Sequence, residues 1–62
     1  MCETNAYILK DDKEELLMDS VIVLRPEDGK IYLRSLLGKE MYVEADIQEI
    51  NFLDHRMVLK GK

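Results

Sequence analysis

The chain has 62 residues, 47% hydrophobic and 35% charged, with nine Lys and Arg against thirteen Asp and Glu for a net charge of −4. That apolar content excludes an intrinsically disordered chain, and cations scattered among an excess of acids disfavour nucleic acid as a partner. The single cysteine excludes an internal disulfide, and no apolar run is long enough for a transmembrane helix.

Along the chain, apolar residues alternate between turn signals. Ala6 and Ile8 face one way and Tyr7 and Leu9 the other, until Lys10-Asp11-Asp12-Lys13 breaks the stretch. Lys13 to Met18 contains good helix formers, but too few for a helix that is stable alone, so a strand is favoured. Val21 and Val23 alternate with Ile22 and Leu24. Pro26-Glu27-Asp28-Gly29 reads as a turn, with Pro fixing φ and Gly accepting φ > 0. Ile31 and Leu33 then alternate with Tyr32 and Arg34, and Gly38 after Leu36-Leu37 begins another turn. Met41, Val43 and Ala45 alternate with Tyr42 and Glu44. Ile47, Ile50 and Leu53 have helical spacing, yet the segment also reads as a strand with a bulge, which is favoured. Asp54-His55 separates it from a last stretch in which Met57 and Leu59 alternate with Val58, ahead of Gly61.

A period of two marks half-buried strands. Five to seven short strands in residues 1–62 predict one all-β domain, a small antiparallel β-barrel or sandwich of SH3-like size. A domain of this length buries only roughly 60% of its unfolded surface. It is therefore expected to gain support from a homodimer, with metal as a further possibility. The N-terminus lacks a basic region followed by an apolar stretch, so a cytoplasmic location with reduced thiols is expected.

The usual catalytic sites are missing. The three glycines are isolated, so there is no phosphate loop. The only histidine, His55, is far in sequence from the only thiol and reads as a turn residue making a backbone hydrogen bond. No enzyme is predicted. Tyr7, Tyr32, Tyr42 and Phe52 could form a stacking platform for bases, but without interleaved cations they read as core or dimer contacts. Met18, Met41 and Met57 lie in strand-like runs and read as core.

Cys2 remains. It could be no more than a small residue before the first strand. Chemically, though, its backbone nitrogen and thiolate form a five-membered chelate on one metal ion. One chain supplies two donors, too few for a stable site. A two-fold dimer places the same residue from both chains across its axis. Two nitrogens and two thiolates can then lie in a plane, which suits Ni(II) or Cu(II). Binding would require thiolate formation and release protons. The nitrogen would be the α-amine if Met1 is removed, or the Met1–Cys2 amide, deprotonated by the metal, if Met1 stays.

Several segments together resemble the CooT family, small nickel-binding accessory proteins of carbon monoxide dehydrogenase maturation. They are Met1-Cys2-Glu3, Glu15-Leu16-Leu17-Met18, Pro26-Glu27-Asp28-Gly29, Leu36-Leu37-Gly38 and Leu53-Asp54-His55-Arg56-Met57-Val58-Leu59. The resemblance implies a homodimer of β-barrel-like subunits holding Ni(II) at its interface through Cys2 of each chain. It further implies carbon monoxide dehydrogenase maturation proteins as partners. The alternative is a small β-barrel module for nucleic-acid or protein interaction, in which Cys2 is incidental.

Overall fold

A computed structural model describes residues 3–61. The described chain is all-β: β1 (Thr4–Lys10), β2 (Lys13–Glu27), β3 (Lys30–Ser35), β4 (Glu40–Val43), β5 (Ala45–Asn51) and β6 (Arg56–Gly61). They form one sheet in the order β4-β3-β2-β1-β6-β5. Neighbours are antiparallel except β1 and β6, which run parallel. The sheet curls into a half-barrel, so that β5 touches β3 although β2, β1 and β6 lie between them in the order. Among the described residues, no helix is long and apolar enough to cross a membrane.

Two tight hairpins are dictated by their tips. Asp11 and Asp12 both have left-handed φ (51° and 63°) and close the Lys10–Lys13 pair; Asp28 and Gly29 (48° and 79°) close Glu27–Lys30. Two consecutive residues with φ > 0 give the turn whose twist matches that of paired strands, and Asp and Gly tolerate it best. The second turn is thus shorter than its sequence signal. Pro26 and Glu27 belong to β2, opposite Ile31 and Lys30. Pro is accommodated there because β1 pairs with β2 only as far as Val21, leaving that stretch paired on one side.

The sequence pattern splits β2 into two short strands, whereas the structure makes it one strand of 15 residues with a bend. Its first half pairs with β1 and its second with β3; Val21 pairs with both, opposite Thr4 and Ser35. Ser20 at the bend has φ 52°. Irregular register on both sides of the bend, between Ala6 and its neighbours in β1 and between Val21 and Val23, marks β-bulges. Bulges bend a strand and sharpen its twist.

These bulges also decide which side chains face inward. The strict alternation expected for 21–24 puts Val21 and Val23 on one face. Instead Ile22 is displaced and stands exposed, and Leu24, opposite fully buried Leu33, joins Val21 against the core. In β5 the irregularity at Gln48 has the same effect. Ile47 pairs with Leu59 and Ile50 with Met57, so a three-residue spacing that looks helical is what one extra residue creates in a strand.

The core is one cluster of Ala6, Met18, Val21, Ile31, Leu33, Ala45, Met57 and Leu59, with Leu17, Leu24, Met41 and Val43 packed at its margin. Met18 and Met57 are core residues, and Met41 lies at the edge, as their strand positions predict. The sheet supplies its own second layer by curling.

Candidate functional site

Cys2, the metal-binding residue expected from the sequence, lies outside the described residues. What the structure describes is the place it leads to. Exposed Glu3 follows it, and Thr4 begins β1 opposite Val21, beside the bend of β2.

Asn5 organises that place. Its backbone N–H donates to the carbonyl of His55 (3.0 Å), and its Oδ1 accepts from the backbone N–H of Ser20 (3.3 Å). The carbonyl of Ser20 in turn accepts from the backbone N–H of Leu36 (2.8 Å). One relay of hydrogen bonds therefore runs from the turn before β6, through the start of β1 and the bend of β2, to the turn after β3. Nothing in the sequence singled out Asn5; a lone amide at the start of an apolar strand was the only available signal. The role of His55 as a turn residue bonding through its backbone is seen directly, and its φ of 53° shows how tightly the chain reverses there.

Both turns are fastened by polar side chains. After β3, Gly38 N–H donates to the carbonyl of Ser35 (3.0 Å), Ser35 N–H donates to the carbonyl of Lys39 (2.8 Å), and Lys39 N–H donates to Ser35 Oγ (3.1 Å). Gly38 closes this turn with φ 91° rather than opening it. Before β6, Asn51 Oδ1 accepts from Asp54 N–H (2.9 Å) while Asn51 Nδ2 donates to Asp54 Oδ2 (3.2 Å).

What these fastened turns present is apolar. Leu37 is 93% exposed, Phe52 83% and Leu53 88%, with Leu36 and Ile22 about half exposed beside them. Charge is sparse: residues 35–39 contain only Lys39, and residues 52–56 only Asp54 and Arg56 as full charges. Exposed Glu3 and Asp19 flank the bend, and further acids lie on the hairpins, where residues 10–15 carry four acids against two Lys and residues 27–30 two against one.

The remaining polar groups serve the scaffold. Arg56, beside Asn5 in the β1–β6 pairing, lies 4.6 Å over the Tyr7 ring and pairs with Glu14, tying β6 across β1 to β2. On the far limb, Arg25 lies 5.1 Å over Tyr32, and Tyr32 and exposed Tyr42 sit 5.2 Å apart. The Tyr32 hydroxyl donates to Glu40 Oε1 at 2.5 Å. That bond, and the negative charge beside it, hold the phenol above its ordinary pKa of 10.0. Glu27 pairs with Arg25 at 3.1 Å. Tyr42 is therefore an exposed ring in a charge-balanced neighbourhood, not part of a basic stacking surface. An open hollow of about 600 Å³ beside the first hairpin mixes Lys10 and Lys60 with Asp11 and Asp12, and lies away from the bend. Among the described residues, no three His, Cys, Asp or Glu are grouped to hold a metal ion.

The family model for the CO dehydrogenase accessory protein CooT matches residues 1–60. A crystal structure attributed to CooT from Carboxydothermus hydrogenoformans is similar at 33% identity and a TM-score of 0.91, with 98% of each chain covered. No curated protein matches the chain.

Proposed function

The chain belongs to the CooT family of CO dehydrogenase accessory proteins, and from that premise we propose that it is a nickel carrier of one domain over residues 1–62. Two copies pair about a two-fold axis and hold one Ni(II) as cargo between their Cys2 residues, for delivery to the CO dehydrogenase maturation machinery. Each chain contributes a thiolate and a backbone nitrogen, which gives the planar set of four donors that Ni(II) favours. A site of few, terminal ligands suits a carrier, because the cargo must leave.

The observation that carries this reading is where the Cys2 segment enters the sheet. β1 starts beside two turns whose Leu37, Phe52 and Leu53 stand in solvent. Apolar side chains so exposed mark a contact surface, and Cys2 precedes Thr4, the first residue of β1, by two positions in the sequence. The dimer makes the donor set complete.

Titration of the wild type with Ni(II), followed by thiolate-to-metal charge-transfer absorption, is expected to saturate at one nickel per two chains. Cys2→Ser is expected to abolish that absorption and the tight binding. Unchanged stoichiometry and affinity in Cys2→Ser would refute the site.

A further inference from the structure

We infer that the open hollow beside the first hairpin binds a small zwitterion, a free α-amino acid, with its carboxylate on Lys10 and Lys60 and its ammonium on Asp11 and Asp12. This site does not rest on the nickel reading. The hollow, about 600 Å³, is walled by the ends of β1 and β6, the tip of the hairpin and Gln48 of β5. Two cations and two anions share that wall, yet none of the four forms an ion pair among the described residues.

The backbone keeps these opposite charges from closing on one another. Asp11 and Asp12 occupy the two left-handed positions of the hairpin tip. Lys60 stands on β6, in register with Leu9. The Lys10 stem lies over the end of β6, where Gly61 has no side chain. A Cβ there would stand 3.3 Å from Lys10 Cε and 3.5 Å from its Cγ. The surrounding charges keep the balance: Lys13 is opposite Lys10, and Asp46 is opposite Lys60. A lone anion would meet two ammoniums and two carboxylates together, and so would a lone cation. A ligand carrying both charges matches each to its opposite. Gln48 is the extra residue at the β5 irregularity, with no cross-strand partner in the register. A bulge re-aims a side chain in this way, and the amide it brings to the hollow can donate or accept. Half-buried Leu9 supplies an apolar wall, which suits an aliphatic side chain on the amino acid.

The test titrates the whole chain, free of metal and at low salt, with leucine, N-acetylleucine and leucinamide, and follows backbone amide shifts by NMR. Leucine is expected to shift Leu9, Lys10, Gln48 and Lys60 with a dissociation constant on the order of 1 mM, because exposed ion pairs are each worth little. N-acetylleucine lacks the ammonium and leucinamide lacks the carboxylate, so each is expected to bind at least about fivefold more weakly. Asp11→Asn combined with Asp12→Asn preserves the turn, since Asn tolerates left-handed φ. It is expected to weaken leucine by a similar factor while N-acetylleucine gains affinity. Lys60→Gln is expected to do the reverse, weakening leucine while leucinamide gains. These opposite gains are changes that a loss of fold would not produce. Equal binding of the three compounds overturns the assignment, as does a leucine affinity that neither variant changes. Shifts centred elsewhere on the sheet, or none at about 10 mM leucine, overturn it as well.

Discussion

The two hairpins and the two wider turns solve the same problem, reversing the chain, with opposite chemistry. Asp11-Asp12 and Asp28-Gly29 are short and polar, and local backbone preference alone accounts for them. Leu36-Leu37-Gly38 and Phe52-Leu53-Asp54-His55 are longer and lead with apolar residues, and they need a buried or shared hydrogen bond from elsewhere, through Ser20 or Asn5, to hold their place. Nothing in the folding of one chain requires Leu37, Phe52 or Leu53 to be apolar. A glutamate would satisfy the same turns. The difference separates residues that the fold of one chain needs from residues that it does not.

Substitutions that contrast buried with exposed leucines give the largest effect. Leu33 and Leu59 are completely buried, and Leu→Ala in such a core costs about 2–5 kcal/mol. A chain of this length has a total stability of roughly 3–9 kcal/mol. Leu33→Ala or Leu59→Ala is therefore expected to remove a large share of stability, read as a lower urea midpoint. Leu37→Ser and Leu53→Ser, compared as dissociated chains at high dilution, are expected to leave that midpoint nearly unchanged. Equal losses in the two sets would erase the distinction between core and contact.

Asn5→Ala comes next. It deprives the Ser20 N–H of its acceptor while leaving the main-chain bond to His55 in place. Stranding a partly buried donor costs about 1–3 kcal/mol. The loss is expected to be local, with faster amide exchange at Ser20 and Leu36 while the hairpin tips keep wild-type rates. Uniform acceleration across the sheet would mean that the bend and the hairpins unfold as one unit.

The class of fold was legible because alternation is a direct consequence of strand geometry, and each alternating apolar stretch found a strand. Register was not. A bulge changes which face a residue takes, and its cause at Ser20 and Ile22 is a tertiary one: β2 must leave β1 and join β3. In retrospect Val21 with Leu24, and Ile47 with Ile50, carried the trace, since apolar residues three apart inside a strand share a face only across an extra residue. Pro26 misled the length of its turn because its tolerance depends on which neighbour is missing. At the candidate site, Cys2 draws attention by its donor chemistry, and it lies outside the described residues. Asn5 does not draw attention, because its importance comes from three segments distant in sequence. The apolar turns were visible as letters but not as a surface, since Leu36-Leu37 and Phe52-Leu53 look like ordinary core residues until their exposure is known.

The smallest effect expected is confined to the far limb, and it tests whether that limb is independent of the bend. The Tyr32 hydroxyl donates to Glu40 and its pKa is raised, the Glu40 hydrogen bond being the largest cause. In the unfolded chain the phenol titrates near its ordinary 10.0. With the folded value above the unfolded one, the protonated phenol stabilises the fold at all pH below 10.0, and that contribution is lost as pH rises through the folded value. Ultraviolet absorbance of phenolate in alkaline titration is expected to show the Tyr32 phenol ionising above its ordinary value, and Glu40→Gln to lower that midpoint. Because β3 and β4 hold this pair while Asn5 holds the turns, Glu40→Gln is expected to leave dimer mass and nickel stoichiometry as they are. A change in either would mean that the contact surface extends along β3 and β4 to the tyrosines, and the boundary drawn between hairpins and turns would have to move.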